Sequence, residues 1–162
     1  MKNFLFLYLS LAACFSTKAQ LKVTVVCPPF EVDIMAGTVN DLYPKSAITE
    51  IQARLPCFTE IVEKDQGSTC AGVFYKDRDI YFYTDRKYIE IRDKFKGRLT
   101  PAMLGVSRNG LFKLLGYPKI KDPGWEAYQM GYGTLVLYYN KAGKINKIQM
   151  AAKTTDALKL CE

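Results

Sequence analysis

The chain of 162 residues contains no histidine, which removes the base that most serine and cysteine nucleophiles need. Two carboxylate pairs have acid–base spacing, Asp77 with Asp79 and Glu60 with Glu63. Both fall in turn or loop stretches, where carboxylates usually serve solubility. Gly131-Tyr132-Gly133 lacks the following helix and the Lys-Ser/Thr pair of a phosphate loop. The cysteines are too scattered for a zinc set and have no histidine to join them. The expectation is binding rather than catalysis, with no catalytic residue, no metal and no cofactor.

Residues 1–19 read as a signal peptide. Lys2 supplies the positive start, and residues 4–13 are an apolar stretch too short to span a bilayer. Two processing routes compete. Thr17-Lys18-Ala19 suits ordinary cleavage and leaves Gln20 first, whereas Leu11-Ala12-Ala13-Cys14 fits a lipobox that would lipidate Cys14. The first gives a periplasmic or secreted protein and the second an outer-membrane lipoprotein, with membrane contact only in the second. Losing Lys2 and Lys18 takes the formal charge from +7 to +5, a balance that steers acidic partners. With its charges interspersed, an exported chain of this kind is not expected to bind nucleic acid.

Four cysteines follow the leader: Cys27, Cys57, Cys70 and Cys161. In an oxidising compartment an even number implies two disulfides, with three pairings open. Cys57 ends a candidate helix and Cys70 begins a candidate strand, which favours Cys57–Cys70 with Cys27–Cys161.

Placing these residues requires the elements around them. Residues 22–26 read as a strand and 30–42 as an extended segment, together the N-terminal piece 20–45. A first module, 46–92, opens with a helix over 46–55, capped by Ser46 and ended by Pro56. Strands follow at 71–76, 80–84 and 87–92, joined by Asp/Arg turns, after a polar loop or short irregular strand at 59–69. Residues 93–104, with Gly97 and Pro101, read as a linker. The second module, 105–150, opens with a helix from Ser107 to Leu115, ended by Gly116 and Pro118. Its hairpin covers 134–150 and turns at Lys141-Ala142-Gly143. Residues 151–162 form a tail tied by a disulfide.

The second module carries a family resemblance. Gly105-x-Ser107, a short apolar helix, Leu114-Leu115-Gly116-x-Pro118, a gap ending in aromatics and a Lys-rich Gly turn resemble the SmpA/OmlA (BamE-like) module. The β-lactamase-inhibitor protein family carries two such modules in tandem. The first half repeats the helix, aromatic strand, basic turn and strand, but Leu55-Pro56-Cys57 replaces the Leu-Gly-x-Pro pattern and no Gly-x-Ser precedes it. The resemblance implies a non-catalytic protein binder: an inhibitor or immunity protein that blocks an enzyme, or an envelope assembly lipoprotein. A carbohydrate-binding or enzymatic envelope protein that uses Trp125 and neighbouring tyrosines as a stacking platform is a third reading.

The expected fold class is α+β, an antiparallel sheet with two short helices packed on one face in two tandem helix–hairpin modules. Alternation turns Ile80, Phe82, Ile89, Ile91, Leu135 and Leu137 toward the helices, and Tyr81, Tyr83, Tyr88, Glu90, Val136 and Tyr138 away from them. The far face is then bare. Tyr81, Tyr83, Tyr88, Trp125, Tyr128, Tyr132 and Tyr138 are the candidate partner-binding residues on it, since aromatics supply large contact area at low entropic cost. The expected partner is another protein, of acidic character.

Overall fold

The computed structural model describes residues 26–64 and 70–161. The leader with its Cys14, the strand residues 22–25 and the stretch 65–69 lie outside the described residues.

Period-2 alternation builds most of what is described. β4 (Gly72–Tyr75), β5 (Ile80–Tyr83) and β6 (Tyr88–Arg92) form an antiparallel meander inside the expected runs. β3 (Glu60–Val62) adds to the outer side of β4. In the second half, β8 (Ile120–Lys121), β9 (Trp125–Met130), β10 (Gly133–Tyr139) and β11 (Ile145–Ala151) form a second meander. The two meanders join through β6 and β11, where Ile91 faces Ile148 and Glu90 faces Gln149. The result is one eight-stranded antiparallel sheet in the order β3-β4-β5-β6-β11-β10-β9-β8.

The expected α+β class with two packed helices is not what forms. α1 (Ile48–Arg54) lies inside the expected 46–55, starting at Ala47, whose N–H donates to Glu50 at 3.0 Å; Ser46 instead accepts the Tyr43 N–H. It is the only helix of seven or more residues among those described. The expected helix to Leu115 breaks into a 3₁₀ turn (Arg108–Gly110) and a single α turn, α2 (Phe112–Leu115). Ser107 makes no side-chain cap, and Asn109-Gly110 are poor helix formers at the point where nucleation must occur. Gly116 still stops the chain at φ +71°.

A second sheet does the work expected of the missing helix. β1 (Glu31–Asp33), β2 (Thr38–Val39) and β7 (Arg98–Thr100) form a three-stranded sheet in the order β2-β1-β7, with β1 and β7 parallel. The extended N-terminal segment and the stretch read as a linker therefore meet. Phe30, Val32 and Ile34 from this layer pack with Ile51 of α1 and Leu55 just after it against Tyr75, Phe82, Ile89, Ile91, Leu135 and Leu137 of the large sheet. Each such side chain contributes about 1.5–3 kcal/mol by leaving water. The Phe30 and Tyr75 rings meet edge to face at 5.0 Å, and the Tyr75 hydroxyl donates to the Leu55 carbonyl at the end of α1.

All four cysteines after the leader are bonded, but as Cys27–Cys57 and Cys70–Cys161. The expected pairing by chain proximity is overturned because Cys57 turns back to the layer where Cys27 packs on the core. Cys70 lies where the C-terminal tail arrives.

Candidate functional site

The side of the large sheet away from the core is the candidate site, and alternation sorts it as expected. Ile80, Phe82, Ile89, Ile91, Leu135 and Leu137 join the core, while Tyr81 pairs with Glu90 and Tyr83 with Tyr88 on the outer face. Trp125 and Tyr138 face each other across β9 and β10 on that same outer face.

Tyr128 and Tyr132 are not part of it. Tyr128 stands three residues after Trp125, an odd offset that puts it on the opposite side of a strand with period two. It pairs with Leu135 in the core. Tyr132 lies in the turn between β9 and β10, with its ring against Gly37, whose φ of +70° and lack of a side chain permit the approach. Burial raises the Tyr132 hydroxyl above the ordinary tyrosine range.

The outer face is not bare from end to end. The tail crosses one end of it: Ala152 N–H donates to the Lys87 carbonyl, and the Thr134 hydroxyl to the Lys153 carbonyl at 2.7 Å. Thr155 in a 3₁₀ turn (Thr155–Ala157) donates to Gln129 Oε1, and Cys161 N–H reaches the Tyr88 hydroxyl at 3.1 Å. The Cys70–Cys161 bond fastens its end. Tyr88 is fully buried and Tyr81 is 8% exposed, and burial raises both hydroxyls. Tyr83 stacks on Tyr88 at 4.5 Å and stays half-buried.

The middle of the face is sealed by its own polar pairs. Glu90 is buried, taking Arg92 Nε at 2.6 Å and Gln149 Nε2 at 2.6 Å, with Lys147 Nζ at 4.0 Å. One carboxylate thus meets two cations, and Asp93 lies in the groove beside them. The Arg92 guanidinium also covers the Tyr81 ring at 4.1 Å.

The far end of the face is partly exposed among the described residues. Arg92, Lys147, Tyr138 and Trp125 form one cross-strand row over β6, β11, β10 and β9. All four are partly exposed. Lys147 Nζ sits 3.8 Å from the Tyr138 ring centre, and the Tyr138 and Trp125 rings are 6.5 Å apart. A groove of about 410 Å³ runs beside the row, lined by Arg92, Asp93, Tyr138, Tyr139, Asn146 and Lys147. Arg92 and Lys147 were not among the sequence candidates. Counting by twos from Tyr88 reaches Arg92, and the strand register sets Lys147 beside it.

One carboxylate of each pair has a partner within the chain. Asp79 accepts from the Tyr81 hydroxyl and the Lys94 N–H, and Glu60 pairs with Lys76 at 2.6 Å. A carboxylate that sequence reading missed is Glu126, 3% exposed on the core side. It accepts from the hydroxyls of Tyr128 at 2.8 Å and Tyr139 at 2.6 Å and pairs with Arg108 at 3.3 Å. Arg108 in turn donates to the carbonyls of Asp122 and Pro123 and lies over the Tyr139 ring. This cluster fastens the 3₁₀ turn to the sheet. No group of three or more potential metal ligands converges among the described residues.

No family model, curated protein or solved structure matches this chain significantly.

Proposed function

We propose that this is an exported, non-catalytic protein that binds another protein of acidic character through the open row of Arg92, Lys147, Tyr138 and Trp125. The observation that carries the reading is the row itself: two aromatics and two cations in register, partly exposed, at the one end of the outer face that the tail leaves free. Aromatic and arginine side chains carry most interface energy, and truncating a central one costs about 2 kcal/mol or more. The formal +5 of the chain without its leader supports an acidic partner.

Two disulfides are compatible with a periplasmic or secreted location, and no helix among the described residues is long and apolar enough to cross a membrane. Both halves run a helical turn followed by a four-stranded meander. With the β-lactamase-inhibitor resemblance, that order favours an inhibitor or immunity role, in which a rigid sheet face blocks an enzyme.

The test is affinity capture from envelope extract with the wild-type protein and a Trp125→Ala/Tyr138→Ala variant of unchanged melting temperature, read by mass spectrometry beside a glycan array. A protein retained by the wild type and lost by the variant supports the proposal. Retention of glycans alone, or equal capture by both forms, refutes it.

A further inference from the structure

The residues that make the second helical turn so short also leave an unusual corner. Between Asp93 and Asp122 the chain has no acidic residue, while Lys94, Lys96, Arg98, Arg108, Lys113, Lys119 and Lys121 are all basic. Three of these, Lys113, Lys119 and Lys121, are exposed around α2 and β8. Interleaved with them, Phe112 is 53% exposed, Leu114 44%, Tyr117 84% and Ile120 36%. One helical turn cannot tuck all its apolar groups inward, and Gly116 with Pro118 swings the chain away before a second turn can form.

The ledge has a set shape. The Phe112 and Tyr117 rings hold each other at 4.6 Å outside the core. Arg108 clamps the base by its bonds to the Asp122 and Pro123 carbonyls, both at 3.0 Å, and by its pair with Glu126. A surface ordered in advance loses little entropy on binding. Beside it runs β8, the last strand of the large sheet, paired only with β9 among the described residues.

We infer that this corner is a second contact surface, which takes an acidic, apolar-bearing strand of a partner protein alongside β8. Strand addition satisfies the edge backbone, sets one alternate set of apolar side chains against Ile120, and brings the carboxylates of the other face to Lys121, with Tyr117 and Lys119 at the strand's entrance. A second copy of the chain is a poor occupant, because joining two β8 edges would crowd like charges that proteins use to prevent such pairing. The surface is distinct from the Arg92–Trp125 row and carries its own prediction.

The probe is a short synthetic strand peptide alternating valine with glutamate, followed by fluorescence anisotropy on the full chain, with a valine–lysine peptide as control. The glutamate peptide binds and the lysine peptide does not. Lys119→Glu/Lys121→Glu weakens binding at least about tenfold, as does raised salt. Tyr117→Ser, at a side chain that is 84% exposed and outside the core, weakens it as well. Lys147→Ala leaves it unchanged, which separates this surface from the row on the outer face. Equal binding of both peptides, no binding of either, retention on anionic vesicles in place of the peptide, or a dimer in sedimentation each overturns the inference.

Discussion

Opening Cys70–Cys161 by a double serine substitution destabilises the protein more than opening Cys27–Cys57 the same way. The first bond joins residues 91 apart and the second residues 30 apart. In the chain-entropy model those closures stabilise by roughly 4.6 and 3.7 kcal/mol at 25 °C. The longer bond also holds the tail whose Cys161 N–H meets Tyr88, adding about 1 kcal/mol for a lost hydrogen bond and the exposure that follows. The expected difference is therefore about 2 kcal/mol. The two closed segments do not overlap in sequence, so the losses should add in the quadruple variant. Urea unfolding followed by circular dichroism measures both. Free energies rather than midpoints must be compared, since an uncrosslinked unfolded chain exposes more surface and raises the denaturant slope. A larger loss for Cys27/Cys57, a loss under about 1 kcal/mol for Cys70/Cys161, or a peptide map that finds Cys57 bonded to Cys70 refutes the reasoning.

Stability should also fall above pH 10. Burial comes first among the causes that raise the hydroxyls of Tyr75, Tyr88, Tyr128, Tyr132 and Tyr139 above the reference value of 10.0. A tyrosine whose folded value is raised binds its proton more tightly in the native state, so its contribution is complete below the unfolded value and is lost as pH climbs beyond it. Tyrosinate absorbance should then appear together with loss of the native circular dichroism; reversible ionisation of all the tyrosines near pH 10 in the folded state would contradict this. Glu126→Ala leaves two hydroxyls without their acceptor and Arg108 without its counter-charge, and should cost about 3–5 kcal/mol in unfolding free energy. Glu126→Gln keeps a carbonyl for the tyrosines and should cost less, and equal effects of the two would sink the assignment.

Strands long enough to alternate were legible in the chain. Within 80–83, 88–92 and 134–138 the inward and outward sets follow from period two alone, and the structure pairs Ile80 with Ile91 and Leu137 with Ile148 accordingly, whereas the bulge opposite Tyr138 and Tyr139 lets Ile145 and Ile148 both join the core three residues apart. The three-stranded sheet was not legible, because β1 and β2 each contribute one fully buried side chain and β7 none, and the partner of Glu31 is the distant Arg98. Disulfide pairing failed for the same reason, since nearness along the chain said nothing of which layer Cys57 faces. The aromatics at 125, 128 and 132 share a residue type but not a face, since their spacing spreads them over both sides of β9 and a turn. The basic run from Lys94 to Lys121 was visible in composition and only acquires meaning once Phe112 and Tyr117 are seen outside the core.

The claim that a partner meets the open row is tested most directly by site-specific photo-crosslinking. A photoreactive aromatic amino acid replaces Tyr138 in one protein and Tyr88, beneath the tail, in another. The account predicts an adduct with one acidic protein from position 138, abolished by Trp125→Ala, and none from position 88. Adducts from position 88 alone, or from neither position while the protein still captures its partner, would contradict it.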